Sequence, residues 1–195
     1  MGRIFAALYN PMGERAERKV LGRVRQKLLA NARGRTLEIG AGTGRNLSHY
    51  PDGIELVLTE PDAHMAKRIG RESVNAPAER LPFPDASFDT VVSTLALCTV
   101  DDLPASLAEA RRVLVPGGSL LFLEHVRGEP GSKLARWQDR LERPWGAIAG
   151  GCHPNRDTLA AIRAAGFEVD DVERPEWRFM PRLVRPVVIG RATRT

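Results

Sequence analysis

Three glycines set at alternate positions, Gly40, Gly42 and Gly44, follow directly on the short run Arg35-Thr-Leu-Glu-Ile39. The run reads as a strand. Glycines after a strand let the backbone turn sharply and let a ligand approach the main chain closely. A glycine-rich loop after the first strand of an α/β domain marks a nucleotide site. Two details narrow the ligand. A dinucleotide fingerprint wants its third glycine at position 45, which is Arg45. Glu38 also stands beside the loop, where a pyrophosphate would meet a repelling carboxylate. The loop therefore suits a ligand that lacks phosphate and carries a positive group. Glu60 ends a second strand, Ile54–Glu60, 16 residues beyond Gly44. A carboxylate there accepts hydrogen bonds from both hydroxyls of a ribose.

The rest of the chain alternates helical and extended patterns. Residues 14–31 predict an amphipathic helix, with Ala16, Val20, Val24 and Leu28 recurring every four positions among charges. Residues 62–70 read as helical and Ser87–Ser93 as a strand. Asp102 and Pro104 open a helix that runs to about Val115 and is stopped by Pro116-Gly117-Gly118. Ser119–Val126 is a strand, and residues 133–143 and 155–165 are helical, the latter closed by Gly166. Phe167–Val172 and Val184–Arg191 complete the sheet. The alternation predicts one α/β domain over residues 1–195 with a mostly parallel sheet, since no repeat or linker divides the chain.

Several classes are set aside. Cys98 and Cys152 stand in no Cys-x-x-Cys or Cys/His spacing, so the sequence predicts neither a disulfide scaffold nor a metal site. Cys152 reads as a small buried residue. No apolar stretch approaches the roughly 20 residues of a membrane helix. The first 30 residues carry arginines and glutamates throughout, unlike a secretory signal. The expected compartment is the cytoplasm. The net charge is +5, and the basic residues gather near the two ends. Arg15, Arg18, Lys19, Arg23, Arg25, Lys27, Arg33 and Arg35 form one group; Arg174, Arg178, Arg182, Arg185, Arg191 and Arg194 form the other. The plain reading is a solvated arginine-rich surface; the functional one is weak peripheral attraction to an anionic membrane. No aromatic residues interleave with the early basic run, which argues against single-strand nucleic-acid binding.

Two further blocks follow the glycine loop in order: Ala78-Glu-Arg-Leu-Pro-Phe-Pro-Asp-Ala-Ser-Phe-Asp89 and Leu107-Ala-Glu-Ala-Arg-Arg-Val-Leu-Val-Pro-Gly-Gly118. With the strand and loop before them, they resemble the class I S-adenosylmethionine (SAM)-dependent methyltransferases, in the branch related to quinone-biosynthesis enzymes. The resemblance spans about residues 35–126. It implies a Rossmann-like sheet of seven strands in the order 3-2-1-4-5-7-6, with strand 7 antiparallel and helices on both faces. It implies SAM as cofactor and S-adenosylhomocysteine as product. Gly40, Ala41, Gly42 and Gly44 would line the methionine half, with Asn46 close by and Glu38 facing the amino group. Glu60 would hold the ribose, with Pro61 and Met65 against the adenine and Ala78 and Glu79 at its edge. Thr94 and Leu95 would meet the methionine portion. Few residues separate Gly70 from Ala78, so strand 3 can span no more than Ser73–Ala76.

A narrower resemblance covers Thr94-Leu-Ala-Leu-Cys-Thr-Val100, Leu123-Glu-His-Val126 and Gly151-Cys-His-Pro-Asn-Arg-Asp157. These segments are similar to the alkyl-thiol S-methyltransferases of animals. They imply a small apolar acceptor, with a thiol sulfur preferred. A quinone-like or phenolic ring and a phospholipid amine are the alternatives, and a non-catalytic SAM-binding module is the alternative from another class. Ser93-Thr-Leu-Ala96 is unlike the Asn/Asp-Pro-Pro-aromatic signature of nucleic-acid amino-methyltransferases, so sequence-specific nucleic acid is not an expected partner. His125 is the candidate base, with His153 second, since imidazole titrates near neutrality. Phe5, Tyr9, Leu97, Trp145, His153 and Trp177 are candidates to line the acceptor, whereas Trp137 reads as core. Residues 1–31 are read as a helical cap and residues 127–153 as an insert on the substrate side.

Overall fold

A computed structural model describes residues 2–175, 177 and 180–195; Arg178, counted above in the basic C-terminal group, lies outside the described residues. The chain opens with helix α1 (Arg3–Ala16), a π turn (Glu17–Leu21) and α2 (Gly22–Leu29). The stripe Ala16, Val20, Val24 and Leu28 packs on one face of the sheet, against Val92, Leu121 and Leu123. A spacing of four drifts off a 3.6-residue helical face. The wider π turn falls within the stripe and brings it back toward the sheet.

The remaining elements are β1 (Arg35–Ile39), β2 (Glu55–Thr59), α3 (Ala63–Ala66), β3 (Phe88–Thr94), α4 (Leu103–Val113), β4 (Leu114–His125), α5 (Lys133–Ile148), α6 (Thr158–Ala164), β5 (Phe167–Glu173) and β6 (Val187–Arg194). They form one sheet in the order β2-β1-β3-β4-β6-β5. The first four strands are parallel, and β6 runs antiparallel to both β4 and β5. This is the Rossmann-like layout, with six strands among the described residues instead of the expected seven. The third strand, expected at Ser73–Ala76, shrinks to a single parallel bridge between Val74 and Thr59. Val74 is the only branched apolar residue between Gly70 and Pro77, so the segment has little to bury at the sheet edge.

Pro116-Gly117-Gly118 does not stop α4, which already ends at Val113. The register on β4 jumps from Phe88↔Leu114 to Thr90↔Ser119, so these residues form a bulge inside the strand. Proline has no N–H for the ladder and is tolerated at such a bulge. Beyond it, successive side chains alternate between faces. Val91, Leu120 and Phe122 meet Leu107, Ala110 and Val113 of α4 and Leu159 and Ile162 of α6. Trp137 is not core: it is 54% exposed, with the Arg140 guanidinium 5.9 Å from its ring centre.

Candidate active site

Strand β1 is paired on one side with β2 and on the other with β3. That reversal opens a crevice beyond the carboxyl ends of the strands, where open α/β sheets bind ligands. Gly40 leaves β1 there with φ +65°, and a Cβ on it would lie 2.8 Å from the Ala96 Cβ. Gly44 has φ +80°, and its Cβ would lie 3.0 Å from the Ile69 carbonyl oxygen. Only glycine fits both positions. Ala41 is buried, and Gly42 lies over the buried Met65. On the other side of the crevice Leu95 leaves β3 with φ 59°. A bulky residue held there stores roughly 1–3 kcal/mol of strain.

That strain is held by Glu124, which the sequence analysis left unremarked within the strand Ser119–Val126. Glu124 is fully buried. It accepts from the Ser93 hydroxyl (2.6 Å) and from the backbone N–H groups of Ala96 (3.2 Å), Leu97 (3.1 Å) and Cys98 (3.0 Å). An acid inside an apolar run is the signal that marked it. Burial pushes its pKa up against these bonds.

Two more buried carboxylates face the glycine loop. Glu60 accepts from Gly42 N (2.7 Å) and Asp62 N (2.9 Å), which leaves each oxygen one further lone pair. Burial raises its pKa. Glu38 accepts from Asn46 Nδ2 (2.9 Å) and from the Tyr50 hydroxyl (2.8 Å). Burial raises its pKa to about 7, and those two bonds and the nearby Arg25 oppose the rise. Arg25 is only 4% exposed, so it does not belong to the solvated basic surface expected of its segment. It donates to Asn46 Oδ1 (2.7 Å) and Thr94 Oγ1 (2.8 Å) and pairs with Glu17 at 3.1 Å. From α1, Asn10 Oδ1 accepts from the Thr43 hydroxyl (2.7 Å) and Arg45 Nε (2.9 Å). The N-terminal helices are thus bonded onto the loop through Asn10 and Arg25, and neither residue stood out in the sequence.

The other sequence candidates are spread around this centre. Pro61 is exposed at the rim, and Ala78 is buried beneath. Glu79 accepts from the N–H groups of Asp101 (2.9 Å) and Asp102 (3.1 Å), tying its loop to the start of α4. Phe5 and Tyr9 meet on α1 with ring centres 5.8 Å apart and planes tilted by 50°. Leu97 lies in the main core, and Trp177 packs on the α2 side. His153 pairs with Glu142 at 2.7 Å.

His125 ends β4 with its Nδ1 3.8 Å from the Cys98 sulfur and 3.6 Å from the Cys152 sulfur. The two cysteines and Trp145 belong to one small apolar cluster. The adjacent Cys98 thiol and the His125 ring hold the Cys152 thiol well below its usual range. Cys98 is pushed up by Cys152 and by burial. No spacing rule finds this cluster, because its members come from three separate segments.

A nucleoside-binding α/β protein is the class that this crevice defines. Buried carboxylates at the ends of adjacent strands suit a ligand with ribose hydroxyls at one end and an ammonium at the other. SAM has both, and no phosphate. The comparisons agree. A family model described as a methyltransferase domain matches residues 37–122. The thiol S-methyltransferase TMT1B of Rattus norvegicus is 36% identical over 81% of this chain and 70% of its own. The ubiquinone/menaquinone biosynthesis C-methyltransferase UbiE of Bordetella avium is 33% identical over 69% of this chain and 64% of its own. A SAM-dependent methyltransferase structure from Thermotoga maritima superposes with a TM-score of 0.71 at 27% identity, covering 100% of both chains. The chain belongs to the class I SAM-dependent methyltransferases and is an enzyme of that class, with SAM as its cofactor.

Proposed function

We propose that this enzyme methylates a small apolar thiol at sulfur. The observation that carries the acceptor is the 36% identity to a thiol S-methyltransferase over 81% of the chain, well beyond residues 37–122. When bound, SAM supplies an electrophilic methyl: a carbon–sulfur bond forms to the acceptor, the methyl–sulfonium bond breaks, and the acceptor's proton goes to solvent. Glu60 takes the ribose hydroxyls on its two remaining lone pairs. Pro61, Met65, Ala78 and Glu79 border the adenine. Glu38, steadied by Asn46 and Tyr50, faces the amino group, and the backbone from Gly40 to Gly44, with Thr94 and Leu95, lines the methionine portion.

What the chain must add is alignment and exclusion of water. Residues 1–31 serve as a cap over the cofactor, through Asn10 and Arg25, and residues 127–153 flank the acceptor. Phe5, Tyr9 and Trp145 supply apolar wall on these segments and Trp177 adds to it from the C-terminal part of the chain, with Leu97 and His153 behind it. A thiol with pKa about 8.5 is partly ionised at neutral pH. It needs no dedicated base, so this reading does not call on His125 to remove a proton. A phenol near 10 would need one.

A second feature favours work at a lipid surface. Ile4, Leu8 and Met12, spaced by four on α1, are 77%, 48% and 68% exposed, beside the basic N-terminal run. We propose weak peripheral association of this helix with anionic membranes. Among the described residues no helix is long and apolar enough to cross a membrane. Cosedimentation with anionic vesicles that falls as salt rises supports this association; indifference to lipid charge counts against it. The acceptor is tested by offering SAM with aliphatic thiols, phenols, quinols and lipid amines in parallel.

A further inference from the structure

The cofactor crevice leaves one group of chemically capable side chains unused: Cys98, Cys152 and His125. Their ligand atoms all lie within 4.8 Å of one another. Zinc bonds to thiolate at about 2.3 Å and to imidazole at about 2.0–2.1 Å in a tetrahedron, which puts sulfur and nitrogen about 3.5 Å apart. The two observed sulfur–nitrogen separations are 3.8 and 3.6 Å. Two sulfurs and an imidazole form a soft donor set that selects zinc-like ions over magnesium or calcium. Three protein ligands with a vacant fourth position is the arrangement of catalytic zinc, not structural zinc.

The supports are rigid. Cys98 sits on the turn that Glu124 clamps, through its own N–H at 3.0 Å. His125 is the last residue of β4. The segment carrying Cys152 is tied back to Cys98 by the His153 N–H, which donates to the Cys98 carbonyl at 2.8 Å. Among the described residues, the buried His125 Nε2 at this spot has no hydrogen-bond partner. With Nδ1 as the ligand, Nε2 carries the proton and calls for an acceptor. The turn that carries Cys98 also touches the cofactor loop through Ala96. The Ala96 Cα lies 3.9 Å from where a Gly40 Cβ would stand, and Cys98 is two residues on, within about 7.6 Å of Ala96.

We propose that Cys98, Cys152 and His125 Nδ1 bind a zinc-class divalent cation whose fourth position receives the acceptor as its thiolate. Cys98 and Cys152 lose their thiol protons to solvent as the cation binds, the acceptor thiol loses its own on taking the fourth position, and the cation keeps its charge throughout. The three-ligand site stands on geometry alone; the role of the fourth position rests on the thiol reading above.

The test uses the reduced full chain with Co²⁺ as the probe. The expected result is one Co²⁺ per chain, thiolate-to-metal absorption in the near ultraviolet, tetrahedral bands in the visible, and displacement by Zn²⁺. Cys98→Ser and Cys152→Ser should each weaken binding at least ~100-fold, the upper end of what losing an outer-shell partner costs. Each variant is first shown to be folded by a thermal shift with S-adenosylhomocysteine. Adding an aliphatic thiol should move the visible bands, and a phenol should not. The site is overturned if no Co²⁺ binds, if a folded serine variant binds as tightly as the parent, or if the two cysteines form a disulfide that excludes the ion. Bands that no thiol moves overturn the fourth-position role, even where thiols are methylated. An intact Co²⁺ site in an enzyme that methylates no thiol overturns both the acceptor reading and that role, and leaves the three-ligand site standing.

Discussion

Replacing Glu38 with glutamine should change how both stability and cofactor affinity respond to pH. In the folded chain the Glu38 pKa is raised from 4.5 to about 7 by burial. An acid raised on folding stabilises the fold while protonated. That contribution is complete below 4.5 and is lost as pH climbs to about 7. A shift of this size corresponds to about 3 kcal/mol. Glu38→Gln keeps the shape and still accepts from Asn46 or Tyr50, but it cannot ionise. Urea melts from pH 5 to 7.5 should therefore show the parent losing about 2 kcal/mol more than the variant. Glu60 and Glu124 are also raised by burial, so the difference between parent and variant is the informative quantity. SAM reverses the sign, because its ammonium favours ionised Glu38. Parent affinity should rise with pH, by up to tenfold per unit below 7, while the variant stays flat. Titration calorimetry over the same range, kept below the α-amino pKa near 7.7–8.0, reads this directly. Equal pH slopes in parent and variant, for both melting and binding, would refute the assignment of Glu38 to the amino group.

Glu60→Ala removes charge-assisted bonds of about 1.5–3 kcal/mol each, so SAM affinity by calorimetry should fall at least tenfold in a folded variant; unchanged affinity rules Glu60 out as the ribose ligand. Glu124→Ala strands three backbone N–H groups and the Ser93 hydroxyl and should destabilise by about 3 kcal/mol or more; a loss under about 1 kcal/mol in urea melts would mean that the strained turn holds without it. Arg25→Met leaves Asn46 and Thr94 short of a donor and should cost about 1.5–3 kcal/mol, with increased proteolysis of α1; an unchanged digestion pattern would show that Arg25 does not anchor the cap.

The parallel half of the fold was legible because its signals are local. Arg35–Ile39 is a strand in both sequence and structure, and Asp102 caps α4 as expected, accepting from Ala105 N at 2.9 Å. The glycine loop declared itself through conformations that other residues rarely reach. The misreadings arise where tertiary context outweighs local pattern. Pro116-Gly117-Gly118 reads as a helix stop, yet pairing with β3 on either side absorbs it as a bulge. Arg25 reads as one more solvated charge, because nothing in its neighbours shows that Asn46 and Thr94 wait for it from 21 and 69 residues away. Cys98, His125 and Cys152 are each 27 residues from the next, far outside any metal-ligand spacing; the pairing of β3 with β4 brings the first two together, and the His153 N–H bond to the Cys98 carbonyl brings in the third.

Methyl transfer to sulfur is tested by competition between acceptors. Purified enzyme is incubated with methyl-labelled SAM and an equimolar panel of an aliphatic thiol, a phenol, a quinol and a lipid amine, and the labelled products are identified by mass spectrometry. The expected outcome is label in the methyl thioether, matched by release of S-adenosylhomocysteine. Label confined to the quinol ring or the lipid amine, with the thiol untouched, would contradict it.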